Sequence, residues 1–128
     1  MSVYQRIEVS EIRGITVVNF IERKILEAAH IMELGEELLQ LIERDGKRDI
    51  LLDFGNVEFL SSAALNKLII LDKKVKGKAG QLKLCSMTPE IREVFVITRL
   101  NQLFDIVDTR EKAMDGFQRA PVAPAVGG

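Results

Sequence analysis

The stretch Asp49-Ile-Leu-Leu-Asp-Phe-Gly-Asn-Val-Glu-Phe-Leu-Ser-Ser-Ala-Ala-Leu65 decides the fold. Its first five residues are short and nearly all apolar, the pattern of a central strand covered on both faces. Gly55-Asn56 then breaks the chain. After Val57-Glu-Phe-Leu60 come two adjacent serines. Beyond them Ala63, Ala64, Leu65, Leu68, Ile69 and Val75 carry a helical pattern. A strand ends, a short loop follows, and a helix opens. In open parallel sheets, ligand and partner sites gather at such carboxyl ends of strands.

The flanking sequence extends the same alternation. Tyr4 to Val9 and Ile15 to Phe20, with Gly14 between them, read as a hairpin. Ile31, Leu34, Leu38, Leu41 and Ile42 mark one face of a helix over 31–44, and Asp45-Gly46 ends it. On the other side, Lys73, Lys74 and Lys76 crowd the last turns of the second helix, where cations suit the negative end of its dipole. Gly77 and Gly80 close that helix. Gln81 to Cys85 alternates as a strand. Thr88-Pro89-Glu90 is a strong helix start, with a Thr cap, Pro at the first helical position and an acidic residue next. Ile91, Val94, Phe95 and Thr98 give its buried side. Phe104 to Val107 is a last strand and Arg110 to Phe117 a last helix. The order β-β-α-β-α-β-α-β-α implies an α/β fold with a largely parallel sheet and an antiparallel hairpin at its start. Residues 118–128 hold two of the three prolines, and the stretch from Ala120 onward is uncharged, so they read as a disordered tail beyond a domain over 1–117.

Composition narrows the chemistry. The chain has 128 residues, enough for one domain. Aromatics are only 5%, so a core must be aliphatic. Eighteen Lys and Arg against nineteen Asp and Glu leave a net charge of −1, which gives no electrostatic reason to expect nucleic-acid or anionic-membrane binding. One His (His30) and one Cys (Cys85) exclude an internal disulfide and a His/Cys zinc cluster. A Ser-His-Asp triad would have to use His30, which reads better as a surface or half-buried residue at a helix start. Cys85 reads as a small core residue. No metal, cofactor or catalytic residue is expected, and a non-enzymatic domain follows. No signal peptide or membrane-length apolar run is visible, so the expected location is the cytoplasm.

The serine pair has a plain structural reading. A hydroxyl at a helix N-terminus caps an orphan backbone N–H. That accounts for one serine and not for both. The functional reading is phosphorylation. A phosphoserine carries about −1.5 to −2 charges, and it would face the positive end of the helix dipole. It would leave the helix intact and act on whatever binds the surface.

The stretch from Asp53 to Leu65 resembles the signature of STAS domains, named for sulphate transporters and anti-sigma factor antagonists. The usual pattern is an aliphatic strand ending in Asp, a short loop, Val-x-Phe/Tyr, and Asp-Ser-Ser/Thr-Gly-Leu at a helix start. The resemblance spans about residues 4 to 117. It implies a STAS-type α/β fold: a single mixed, mostly parallel sheet that starts with an antiparallel hairpin and is flanked by about four helices. Phe59 and Leu60 match the aromatic-aliphatic pair, and Leu65 matches the family's Leu. Ser61 falls where the family has Asp, and Ala63 and Ala64 fall on Ser/Thr and Gly. Ser62 falls on the serine that partner kinases phosphorylate, which makes it the first choice for modification and Ser61 the second. Glu27 falls near another acidic position of the family, at the end of the second strand.

The resemblance implies an anti-sigma factor antagonist in a partner-switching circuit. Unmodified, such a protein binds an anti-sigma factor with serine-kinase activity; phosphorylated, it loses that partner. A serine phosphatase is a further partner of such a circuit. The expected contact surface is the loop from Gly55 to Leu60 with the exposed face of the next helix: Asn56, Glu58, Leu60, Ser61, Asn66 and Lys67, with Glu27 beside them and Lys74 at the rim. A monomer or weak dimer is expected. The alternative is a STAS scaffold or assembly module that no phosphate regulates.

Overall fold

In the computed structural model, which describes residues 4–119, β1 (Ile7–Ile12) and β2 (Ile15–Phe20) pair antiparallel with Ile12 opposite Ile15. The two residues between them, Arg13 and Gly14, have φ of +55° and +79°. Positive φ at both central positions is the type I′ geometry, whose twist matches the flanking strands. The first strand starts at Ile7 and not at Tyr4. Tyr4 to Arg6 run beside the first helix instead. The backbone N–H groups of Gln5 and Arg6 donate to the Glu37 carboxylate at 2.9 and 2.8 Å, and the Tyr4 hydroxyl donates to Asp45.

A two-residue strand, β3 (Lys24–Ile25), leads into α1 (Ala28–Glu43), which buries Ile31, Leu34, Gly35, Leu38, Leu41 and Ile42. Gly46 takes φ +68° just beyond it, as its lack of a Cβ permits. Then come β4 (Asp49–Asp53), the short β5 (Phe59–Leu60) and α2 (Ser62–Gly77). β6 (Gln81–Cys85) is followed by α3 (Pro89–Ile97), where the Thr88 hydroxyl caps the Ile91 N–H at 3.2 Å. A 3-10 turn at Leu100–Gln102 precedes β7 (Asp105–Val107) and α4 (Arg110–Arg119). The helix thus runs two residues past the boundary expected at 117. Residues 120–128, most of the expected tail, lie outside the described residues.

The main sheet has the order β1-β2-β4-β6-β7, antiparallel at β1–β2 and parallel from β2 onward. Its two faces are covered unequally. Val18, Phe20, Ile50, Leu52 and Leu84 face the large core made with α1, α2 and α3. Ile15, Val17, Leu51 and Cys85 face only Ala113, Met114 and Phe117 of α4. β4 is therefore buried on both sides, as its unbroken apolar run required. Three ring contacts join Phe20, Phe54, Phe95 and Phe104 across the large core, with centroids 4.9, 6.1 and 5.7 Å apart. The few aromatics of the chain are concentrated there.

Candidate functional site

The serine junction is built by a feature too short to read in the sequence. β3 and β5 form a separate parallel pair, with Lys24 opposite Phe59 and Ile25 opposite Leu60. The N–H groups of Glu58 and Phe59 donate to the Arg23 carbonyl at 2.6 and 3.2 Å, and the Ser61 N–H donates to the Ile25 carbonyl at 3.1 Å. Each strand of this pair runs directly into a helix: β3 into α1 and β5 into α2. The N-termini of two helices are thereby brought to one pole of the molecule, so their positive dipole ends lie at the same surface.

The alternation of the short strands decides what faces outward. Ile25 is buried and Leu60 packs half-buried against the large core. Lys24 and Phe59 point the other way, with the Lys24 ammonium 5.7 Å from the Phe59 ring centroid. Phe59 is 56% exposed, and Leu26 and Ile21 are also exposed. Arg23 forms an ion pair with Glu58 across the pair of strands.

The two serines differ in structure. Ser61 is the N-cap of α2, with φ −79° and ψ 165°, and its Oγ accepts the Ala64 N–H at 3.3 Å. It is half-buried. Ser62 is the first residue of the helix and is exposed. Its hydroxyl makes no hydrogen bond among the described residues. The first serine caps and the second faces solvent.

The loop before them is tied down from below. Asp53, only 7% exposed, accepts the Gly55 N–H on Oδ1 at 2.8 Å. Its Oδ2 receives Arg110 Nε at 3.0 Å and the terminal nitrogen at 2.9 Å. Asn56 donates its side-chain amide to the carbonyls of Phe20 and Ile21 at 3.1 and 3.0 Å, which fixes the loop to the end of β2.

The other sequence-predicted contact residues divide accordingly. Asn66 is exposed on α2. Lys67 is half-buried, its stem lying over Gly35 of α1, where a Cβ would come within 2.7 Å of Lys67 Cδ. Lys74 pairs with Glu43 at 2.8 Å near the C-terminal end of α2, the end opposite the serines. Glu27 is not at the end of the second strand. β2 stops at Phe20, and Glu27 occupies the N-cap position of α1 without capping it through its side chain. The reason is β3, which inserts a second extended segment before the helix. His30 lies half-buried between Glu22 and Glu27, at 2.8 and 3.4 Å. That position suits a structural partner of carboxylates. Residues at this surface outside the predicted set are Arg23, Lys24 and Leu26, while Phe59 lies within the predicted Gly55–Leu60 loop. Arg23, Lys24 and Leu26 carried no signal in the sequence, because the two-residue strand that presents them has no period.

The sequence profile of the STAS domain family matches residues 6–113. BtrV of Bordetella bronchiseptica, named as a candidate anti-sigma factor antagonist, is 31% identical over 96 residues, which cover 75% of this chain and 82% of that protein. Among solved structures, an anti-sigma factor antagonist candidate from Thermotoga maritima superimposes with a TM-score of 0.78 at 21% identity, covering 88% of this chain and 95% of that one. The Bacillus cell fate determinant SpoIIAA in its phosphorylated form superimposes with a TM-score of 0.64 at 18% identity, covering 85% and 96%. No helix among the described residues is long and apolar enough to cross a membrane. The match over residues 6–113 takes in every strand of the main sheet and the whole serine junction, and the chain belongs to the STAS domain family.

Proposed function

We propose that this protein is an anti-sigma factor antagonist whose binding to an anti-sigma factor with serine-kinase activity is switched off by phosphorylation of Ser62. The observation that carries the reading is the division of labour between the serines. Ser61 is committed to the cap of α2, while Ser62 presents a hydroxyl to solvent one residue later. The similarity to BtrV supports the choice of partner class.

A phosphate on Ser62 would sit at the positive end of α2, where the helix dipole and free N–H groups favour it. It would therefore act on the interface and not on the fold. A dianion placed beside Phe59 and Leu26 opposes docking of an apolar partner surface by desolvation and repels acidic groups. The protein needs no chemistry of its own in this scheme. The kinase supplies ATP and the phosphoryl group, and a serine phosphatase restores the hydroxyl.

The test is a calorimetric titration of the cognate kinase against wild type, Ser62→Ala and Ser62→Asp. Binding by the first two and loss of binding by Ser62→Asp, with its fold unchanged by circular dichroism, is the expected result. Equal affinity for all three overturns the mechanism. Mass spectrometry after incubation with kinase and ATP supplies the second arm. A phosphopeptide that contains Ser62 and vanishes in Ser62→Ala supports the switch. Complete absence of phosphate on Ser61 and Ser62 favours a STAS scaffold instead.

A further inference from the structure

Arg110 lies far in sequence from the serine junction, yet it is the cation beside the buried carboxylate that holds the junction's loop. Its Nε and a terminal nitrogen reach Asp53 Oδ2 at 3.0 and 2.9 Å, and the terminal nitrogen also donates to Asn19 Oδ1 at 3.2 Å. The other oxygen of Asp53 accepts the Gly55 N–H at 2.8 Å. Gly55 fits closely there, since a Cβ would come 3.0 Å from that oxygen. The Asp53 carboxylate thus joins two things: the first residue of α4 and the first turn of the loop that leads to Phe59, Ser61 and Ser62.

Among the described residues, the helix at the other end of this link packs alone on its face of the sheet. α4 is short, has Gly116 in its interior, and docks through Ala113, Met114 and Phe117 over Ile15, Val17, Leu51 and Cys85. The other three helices share the large core on the opposite face. Locally weak elements open at a free energy below that of global unfolding. When α4 leaves, Arg110 leaves with it, and Asp53 loses the partner that fixes its orientation.

We propose that Arg110 is a positioning residue of the serine junction, and that through Asp53 it makes the geometry of the Gly55–Leu60 loop depend on the docking of α4. An interaction that displaces α4 would loosen the loop and so weaken whatever binds there. The consequence for partner binding rests on the function proposed above. The link itself is measured on the isolated protein, so its failure and the failure of that function are separate results.

Two readouts follow the two ends of the link. The Cys85 thiol is buried under α4, and burial raises its pKa, so its reaction with a disulfide reagent reports opening of that helix. Amide exchange at Gly55, followed by nuclear magnetic resonance, reports the loop. Arg110→Gln is expected to speed Gly55 exchange at least tenfold, while Leu38 and Leu41 amides in α1 stay within about twofold. Arg110→Lys, which keeps the charge, should recover most of the protection. Met114→Ala leaves Arg110 and Asp53 in place but weakens docking, and it should speed both Cys85 labelling and Gly55 exchange. Gly55 exchange that stays within twofold of wild type in Arg110→Gln or Met114→Ala overturns the proposal. So does a rise that merely keeps step with Leu38 and Leu41, because it would reflect general destabilisation. Should Arg110→Gln fail to fold, Met114→Ala and Arg110→Lys decide the matter.

Discussion

Ser61 and Ser62 carry the same side chain one residue apart, and backbone geometry alone gives them different work. The extended φ and ψ of Ser61 aim its Oγ back at the Ala64 N–H, whereas Ser62 is already helical and projects outward. Ser61→Ala should therefore cost about 1 kcal/mol of stability in urea denaturation, the usual loss for an N-cap hydroxyl. Ser61→Asp should restore it, because a carboxylate caps as well and suits the dipole. Ser62→Ala should stay within about 0.5 kcal/mol of wild type, as exposed substitutions away from special features do. The hairpin offers a second residue-scale test. The Glu11 carboxylate accepts the hydroxyl of buried Thr16 at 2.6 Å and lies 3.0 Å from the Lys47 ammonium, which hold its pKa below the ordinary 4.5. A carboxyl depressed in the folded state contributes stability above its unfolded pKa and loses it as pH falls through the folded value. Thr16→Val should therefore be less stable than wild type at neutral pH, and the gap should narrow as the pH falls below 4.5. Parallel denaturation series at several pH values measure it.

Elements end for reasons that residue types reveal only in part. Gly77 and Gly80 both read as closers of α2, yet neither takes the left-handed conformation. Ala79 does, with φ +59°. The Gly80 N–H bonds to the Val75 carbonyl at 2.9 Å and the Ala79 N–H to the Lys76 carbonyl at 3.0 Å, the paired bonds of a Schellman ending. Gly80 is required for a different reason: a Cβ there would fall 2.2 Å from the Arg48 carbonyl oxygen, against unyielding backbone. Gly77 meets nothing within 4 Å and lies in the last turn of the helix. Gly77→Ala should stabilise the protein by about 0.5–1 kcal/mol, through the entropy glycine loses in a helix. Gly80→Ala should destabilise it by several times that amount, because overpacking against backbone cannot relax cheaply. Thermal midpoints that move in opposite directions check both. The sequence distinguishes helices from strands by period and by the length of an apolar run, and so α1, α2, β4 and β6 are legible. It cannot distinguish a glycine needed for φ from one needed for approach, since approach depends on a chain segment some thirty residues away. β3 and β5 are illegible for a simpler reason: two residues have no period.

At the scale of the molecule, the parallel order of β2, β4 and β6 places the N-termini of α1 and α2 at one end of the sheet and their C-termini at the other. The alternation of elements made that much readable, including the strand-to-helix junction after β4. The contribution of β3 to the surface at that junction was not readable, because β3 has to pair with β5 before Leu26 and Phe59 share a face. That surface yields a test of location. Phe59 is 56% exposed and makes no ring contact with the core aromatics, so truncating it removes little folding energy. Ile97, at 71% exposed, ends α3 and thus lies at the opposite pole. Both substitutions, Phe59→Ala and Ile97→Ala, should leave stability within about 0.5 kcal/mol of wild type. Their effects on binding should separate. An exposed aromatic near Ser62 is the type of side chain that anchors an interface, and loss of such an anchor costs about 2 kcal/mol, or roughly thirtyfold in affinity. Titrating the cognate kinase should show that loss for Phe59→Ala and wild-type affinity for Ile97→Ala. If Ile97→Ala weakens binding and Phe59→Ala does not, the partner docks at the far pole. A phosphate on Ser62 could then not block it directly.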